Sequence, residues 1–463
     1  MGLKMNFNKK KYNLIFIIVI ISSILTSFFS TALNTALPQI MKDYNISAAM
    51  GQWITSIYSM MMGISVLATA YLVKKFKTKK IFISSLFLFT FGLGLDALSL
   101  PFGVFILGRI FQAVANGILL SLTQIIILTI FPIEKRGSYM GIYGLAVGGA
   151  PVIAPTLAGI IIDSCGWRMI MYGTMFFMVA LIVMSAITFE NLLVNENTKF
   201  DFVSLSFCAL GYIGILIGLG NIGSYAWSSM NVLLPVILGM VGSGVFIYRQ
   251  LYLDKPFLDI RILKVKEYRT ALIASMLLYL AMMAATILIP IYVQTIREYS
   301  ATVSGLVMMP GSIAMAVISP MAGRIYDKLG IKKLFIGGSI LQLLSYAGMA
   351  VLSYHTSMIY LAVMLVIRNL AIGCLIMPLV TWGMSKIEKQ KTSDGTALFT
   401  SLRTVAGAVG SAVFIGVMTI VESHTSSITG IDVAFICLTA VTVIQLIIAI
   451  FFCNISSIKT EKL

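Results

Sequence analysis

Fourteen stretches of about 20 or more apolar residues, parted by short polar breaks, run the length of this 463-residue chain. An α-helix rises 1.5 Å per residue, so about 20 apolar residues cross the hydrocarbon core of a bilayer. The stretches lie near 13–37, 50–73, 80–100, 102–130, 137–162, 167–189, 202–222 and 229–250, then near 269–295, 302–323, 332–353, 357–384, 395–420 and 430–453. Runs this long exclude a membrane β-barrel, whose strands alternate over about ten residues. They predict an all-α integral membrane protein of fourteen spans. The first run follows Lys9, Lys10 and Lys11 as a signal peptide would, but its apolar part reaches Leu37 with no A-x-A site, which predicts a retained helix.

Charge supports the same class and orients it. Only 11% of residues are charged, against 59% hydrophobic, whereas a soluble domain carries about 25% charged residues. The net charge of +16 is gathered in clusters between the apolar runs, a topogenic pattern that argues against nucleic acid as a partner. With the N-terminus inside, 27 Lys and Arg fall on the inner side and 3 (Lys42, Arg168, Arg297) on the outer. Both termini are therefore expected in the cytoplasm.

Several chemistries find no residues. The five cysteines lack CxxC spacing, and His355 and His424 stand in separate short loops, so no metal site is expected. The P-loop pattern GxxxxGK followed by Ser or Thr is absent, as is HExxH. The chain is expected not to be an enzyme and to hold no cofactor; uphill transport would draw on an ion gradient or a partner.

An internal repeat divides the chain. Ala70–Lys80, AYLVKKFKTKK, superimposes without a gap on Gly323–Lys333, GRIYDKLGIKK. The fourth helix of each half carries an intramembrane arginine, Arg109 in ILGRIFQAVANG and Arg368 in LVIRNLAIGC. The expected organisation is a six-helix half over 1–189, two inserted helices and a cytoplasmic linker over 190–268, and a second six-helix half over 269–463.

These segments resemble the major facilitator superfamily, and within it the fourteen-helix drug–proton antiporter branch. GRIYDKLGIKK is similar to the loop signature GxxxDRxGRR through Gly323, Arg324, Asp327, Lys328, Gly330 and Lys332. LGRIFQA resembles the fourth-helix arginine motif and brings in Gln112 beside Arg109. Gly141, Pro151, Pro155 and Gly159 resemble the antiporter motif of helix five. LNTALPQI, IPIYVQ and LFTSLRTVAGAVGSA, the last with Arg403, resemble stretches of this branch. The resemblance implies two halves around a midplane cavity that rock to alternate its exposure. It implies proton-coupled efflux of hydrophobic or amphipathic compounds, with antibiotic resistance as the physiological setting. Bilayer, small substrate and protons would be the partners of a monomer in a bacterial plasma membrane. A dedicated exporter of one metabolite, peptide or lipid is the alternative; a transport-inactive sensor or assembly partner is the third reading.

Departures from the pattern matter. The first-half loop has Lys74 where the acid belongs and Lys77 where a glycine belongs, and Phe29 stands where many relatives carry a helix-one aspartate. The lysine-rich copy is either merely topogenic or docked on anionic headgroups. A buried guanidinium needs a partner or a wet cavity, so Arg109 is expected to approach Asp96 across the hairpin, as a functional or a static pair; the alternative is an Asp96 simply at the outer interface. Arg368 and Arg403 either serve transport or bond backbone carbonyls in packing. Apart from Asp96, only Asp163, Glu190, Glu422 and Asp432 approach helix ends, a scarcity that favours an anionic or neutral substrate. Asp327 is expected in a charge relay facing Arg324 or Lys328. Pro151 and Pro155 predict a bent helix five. Met60, Met61 and Met62 either line an adaptable pocket or pack helices.

Overall fold

The computed structural model describes residues 9–46, 48–98, 101–193, 201–221, 228–253, 256, 258–299 and 301–453. Among them are fourteen long α-helices: α1 (Lys9–Asp43), α2 (Ala48–Lys75), α3 (Thr78–Ala97), α4 (Phe102–Ile130), α5 (Arg136–Cys165), α6 (Arg168–Thr188), α7 (Phe202–Gly220), α8 (Met230–Tyr252), α9 (Lys266–Pro290), α10 (Ala301–Leu329), α11 (Ile331–Met349), α12 (Met358–Met384), α13 (Thr392–His424) and α14 (Ser427–Phe451). Twelve of these are long and apolar enough, by length and composition, to cross a membrane. No strand occurs among the described residues.

The helices begin and end for local reasons. Asp201, Ser229, Ser357 and Ser426 each accept a backbone N–H in the first turn of α7, α8, α12 and α14, satisfying donors that the helix itself leaves open. α9 runs to Pro290 and continues as one π-type turn over Ile291–Ile296, because proline has no N–H to hold the regular ladder. α10 ends at Gly330, whose φ of +74° favours glycine. The loop motif expected at 323–333 is accordingly helical through Leu329; the chain needs only Gly330 to turn into α11.

The chain forms two compact units. The first comprises Met1–Pro132 and Ala150–Phe200, and so holds α1–α4, the second part of α5, and α6. Its centre is α4, whose Ser121–Leu128 stretch is buried on all sides, with Phe82 stacked on Phe189 and Phe29 set edge-on to Phe89. The second comprises Ile133–Gly149 and Asp201–Leu463. Its core joins Ala281, Ala285 and Leu288 of α9 to Tyr346 of α11, Leu365 of α12 and Phe435 of α14.

Within the second unit α7 and α8 form a hairpin zipped by glycine. A Cβ at Gly214 would lie 2.6 Å from the Pro235 carbonyl and 2.7 Å from the Gly239 Cα. Two backbones this close pack by van der Waals contact, the means by which helices associate in lipid. Large apolar side chains elsewhere on the pair, among them Leu234, Ile237 and Met240, are exposed, as lipid-facing residues are.

Candidate functional site

In the first unit, three polar residues meet where α3 and α4 cross closely. Arg109 Nη1 donates to Gln112 Oε1 at 2.7 Å, and Gln112 Nε2 donates to Asp96 Oδ2 at 2.8 Å. Arg109 and Gln112 share a helix face because they are three apart. All three side chains are almost fully buried. The approach expected between Arg109 and Asp96 is thus relayed through Gln112, whose amide suits an acceptor on one side and a donor on the other. Asp96 Oδ1 has no hydrogen-bond partner; it lies against Gly108, where a Cβ would collide with it.

Arg109 is also held by aromatic faces. Its guanidinium carbon lies 4.2 Å from the Tyr58 ring centroid and 5.9 Å from that of Phe29. Nε points at the Ile54 carbonyl at 3.5 Å. Ring quadrupoles attract a desolvated cation by about 2 kcal/mol, so Phe29 supplies part of the stabilisation that a helix-one carboxylate would give. Tyr58 donates nothing to Arg109; its hydroxyl accepts from Asn116 at 2.8 Å. Met62 accepts a weak contact from the same amide, while Met60 is buried and Met61 half-buried.

In the second unit two arginines dock on one face of α9. Arg368 Nη2 donates to the Met282 carbonyl at 2.6 Å and to the Thr286 hydroxyl at 3.1 Å, and Nε reaches the Tyr346 hydroxyl at 3.5 Å. Arg403, on α13, stacks on Tyr279 with 4.8 Å between guanidinium carbon and ring centroid. Its Nε and Nη1 have no hydrogen-bond partner although the residue is 4% exposed. Arg368 is satisfied by carbonyl and hydroxyl oxygens; Arg403 is not.

The motif at the end of α10 clasps the start of α5, also within the second unit. Asp327 accepts the backbone N–H of Gly137 at 2.9 Å and that of Ser138 at 2.8 Å, plus the Ser138 hydroxyl. These are orphan donors of a helix N-terminus, where a carboxylate is favoured. In this conformation the Asp327 carboxylate faces the start of α5. Arg324, Lys328, Glu134 and Lys135 rim a cavity of about 470 Å³ beside it. Gly323 and Gly141 permit the approach, since a Cβ at Gly141 would stand 2.6 Å from the Ser319 carbonyl. Gly330 makes the turn, and Lys332 follows it in α11.

The remaining helix-five residues are less engaged. α5 passes positions 151 and 155 as unbroken helix, and the side chains of Pro151 and Pro155 lie outside the described residues, as does that of Asp163. Gly159 has open space around it. Tyr58 and Tyr279 were not singled out in the sequence; their only signal is a polar-tipped ring inside an apolar helix, four residues after Ile54 and three before Met282 respectively.

Membrane-capable helices, a repeated buried arginine and a helix-capping acid at the repeated motif define a multi-span membrane transporter. The Major Facilitator Superfamily model matches residues 19–411, and the chain belongs to that family. It is 32% identical over 409 residues to the lincomycin resistance protein LmrB of Bacillus subtilis, covering 87% of this chain and 85% of that one. It is 26% identical to the riboflavin transporter RibZ of Clostridioides difficile, covering 98% and 99%. The fold matches the crystal structure of the human organic anion transporter MFSD10 with a TM-score of 0.68 at 13% identity, over 95% of this chain and 99% of that one. The kinship with LmrB is consistent with the drug–proton antiporter branch.

Proposed function

We propose that this transporter exports hydrophobic or amphipathic compounds from a bacterial cell in exchange for protons, as a fourteen-span monomer with both termini cytoplasmic. The six-two-six division over 1–189, 190–268 and 269–463 belongs to the same reading. The observation that carries it is the buried Asp96–Gln112–Arg109 relay. A carboxyl group whose Oδ2 is held by an amide and whose Oδ1 is free can take a proton on Oδ1 without breaking its contact. Any movement of Arg109 passes to Asp96 through Gln112, which gives conformation a route to the proton site. The gradient itself is the energy source.

The substrate is read as neutral or anionic. Arg403 keeps a buried guanidinium with two unbonded nitrogens facing Tyr279, and Phe29 occupies the place of an acid that would attract cations. A dedicated exporter of one metabolite is the second reading, supported by the likeness to RibZ along nearly the whole chain.

Purified chain in proteoliposomes carrying a pH-sensitive dye tests the proposal. Addition of an anionic or a neutral lipophilic dye is expected to drive proton movement, and Asp96→Asn to abolish it while substrate binding persists. Unchanged proton-coupled transport in Asp96→Asn removes Asp96 from the mechanism. Binding without flux in the unaltered chain supports a sensor instead. A cell-based panel comparing Arg403→Gln with the parent separates anionic from neutral cargo, and broad from narrow export.

A further inference from the structure

We propose that the outer face of α3 and α6 holds a specific site for an anionic diacyl phospholipid. The site is a groove of about 640 Å³ within the first unit, lined by Lys77, Lys79 and Lys80 at one end and by Ile83, Phe87 and Ile182 along its walls, with Ser84 and Asn191 between. No acidic residue lines it. Glu190, next to Asn191 in the chain, is already paired with Lys11.

The arrangement has the polarity of a lipid. Lys80, Ser84 and Phe87 succeed one another at spacings of four and three, so they form a single stripe down α3. Seven residues of helix rise about 10 Å, which separates the ammonium groups from the Phe87 ring by the depth of a headgroup and glycerol. Phe87 is 63% exposed, an unpacked ring available to an acyl chain. Lys79 is steadied by donating to the Ala186 carbonyl in the last turn of α6 at 2.7 Å, and its ammonium retains two further donors. A soluble anion would make no use of the apolar walls, and a neutral lipid no use of three lysines.

The second repeat supplies an internal contrast. Lys74 and Lys77 correspond to Asp327 and Gly330, and the cavity beside Asp327 is rimmed by Glu134 and Asp327 as well as by Lys135, Arg324 and Lys328. Two acids there offset two of the three bases, so an anionic headgroup is attracted less strongly than by the three unopposed lysines of the first groove. Of the two departures in the first loop, Lys77 lines the groove, beside Lys79 and Lys80, which match Lys332 and Lys333 of the second copy.

The test is native mass spectrometry of the full chain released from nanodiscs of equal phosphatidylglycerol and phosphatidylcholine. One phosphatidylglycerol is expected to stay bound preferentially. Retention should fall about fivefold per lysine removed in Lys77→Gln with Lys80→Gln. It should also fall in Ser84→Trp, which fills the groove without touching charge. Lys264→Gln with Lys266→Gln should leave it unchanged. Equal retention of the two lipids, indifference to Ser84→Trp, or displacement by excess inorganic phosphate would overturn the site.

Discussion

Ser138 donates both its backbone N–H, at 2.8 Å, and its hydroxyl to the carboxylate of Asp327, tying the first turn of α5 to the last turn of α10. The pairing is a helix cap supplied from another helix, 189 residues away in the chain. Removing it with Asp327→Ala is expected to cost about 1–2 kcal/mol of unfolding free energy in detergent. Ser138→Ala, which spares the backbone donor, should cost about 1 kcal/mol. The double variant should cost less than the sum, because both report one contact; strict additivity in a denaturation series would refute the cap.

Arg109 faces the Tyr58 ring at 4.2 Å with no acid in direct contact. Tyr58→Phe keeps the ring and is expected to lose the hydroxyl's bonds to Asn116 and Ser30, about 1 kcal/mol each. Tyr58→Leu removes the π face and should cost about 2 kcal/mol more. Equal melting temperatures for the two variants would show that the ring does not hold the cation.

Two glycines of helix five should respond oppositely to alanine. At Gly141 the new methyl would stand 2.6 Å from the Ser319 carbonyl and 3.1 Å from the Pro320 Cα, both rigid backbone. A loss of about 1–3 kcal/mol is expected. At Gly159 nothing lies within 4 Å, and alanine should stabilise by about 0.5–1 kcal/mol through helix propensity. Thermal unfolding of the pair decides; a stabilised Gly141→Ala would place α5 and α10 farther apart than described.

Asp43 links α1 to α6 by accepting from Trp167 Nε1 at 2.8 Å and from Arg168 at 2.9 Å. The Trp167 hydrogen bond, with Arg168 behind it and burial opposing, holds this carboxyl below its ordinary value of 3.8. A depressed folded value means stabilisation that is full above the unfolded value and lost as pH falls through the folded one. The melting-temperature gap between the parent chain and Asp43→Asn should therefore be constant above about pH 5 and close below about pH 4. A gap that widens on acidification would reverse the sign and refute the assignment.

Most of the fold was legible because hydropathy is a local property. The run at 102–130 coincides with α4, and Phe202 opens α7 where the sequence places it. One departure, α10 running to Leu329, arose because Asp327 and Lys328 read as loop by charge. A helix end in water tolerates charge, and the physical stop is Gly330 with its positive φ. Arg109, Asp96 and Asp327 stood out as charges in apolar surroundings. Of their partners, Gln112 and Phe29 drew notice only through the family resemblance, while Tyr58 and a pair of backbone amides carry no signal of their own.

The sequence by itself determined that the chain lives in lipid, about where its helices lie and which residues recur in the two copies of the repeated segment. Each of these follows from apolar length, spacing and internal similarity, which need no knowledge of neighbours. Only the tertiary structure decided that Gln112 bridges Arg109 to Asp96, that Asp327 caps α5, and that Arg403 Nε and Nη1 stay unbonded over Tyr279. A helical period assigns residues to a face, but in a helix apolar all round it does not say which face meets which neighbour. That choice rests on close contacts such as Gly108 against Asp96 and Gly141 against Ser319, which exist only once the helices are packed.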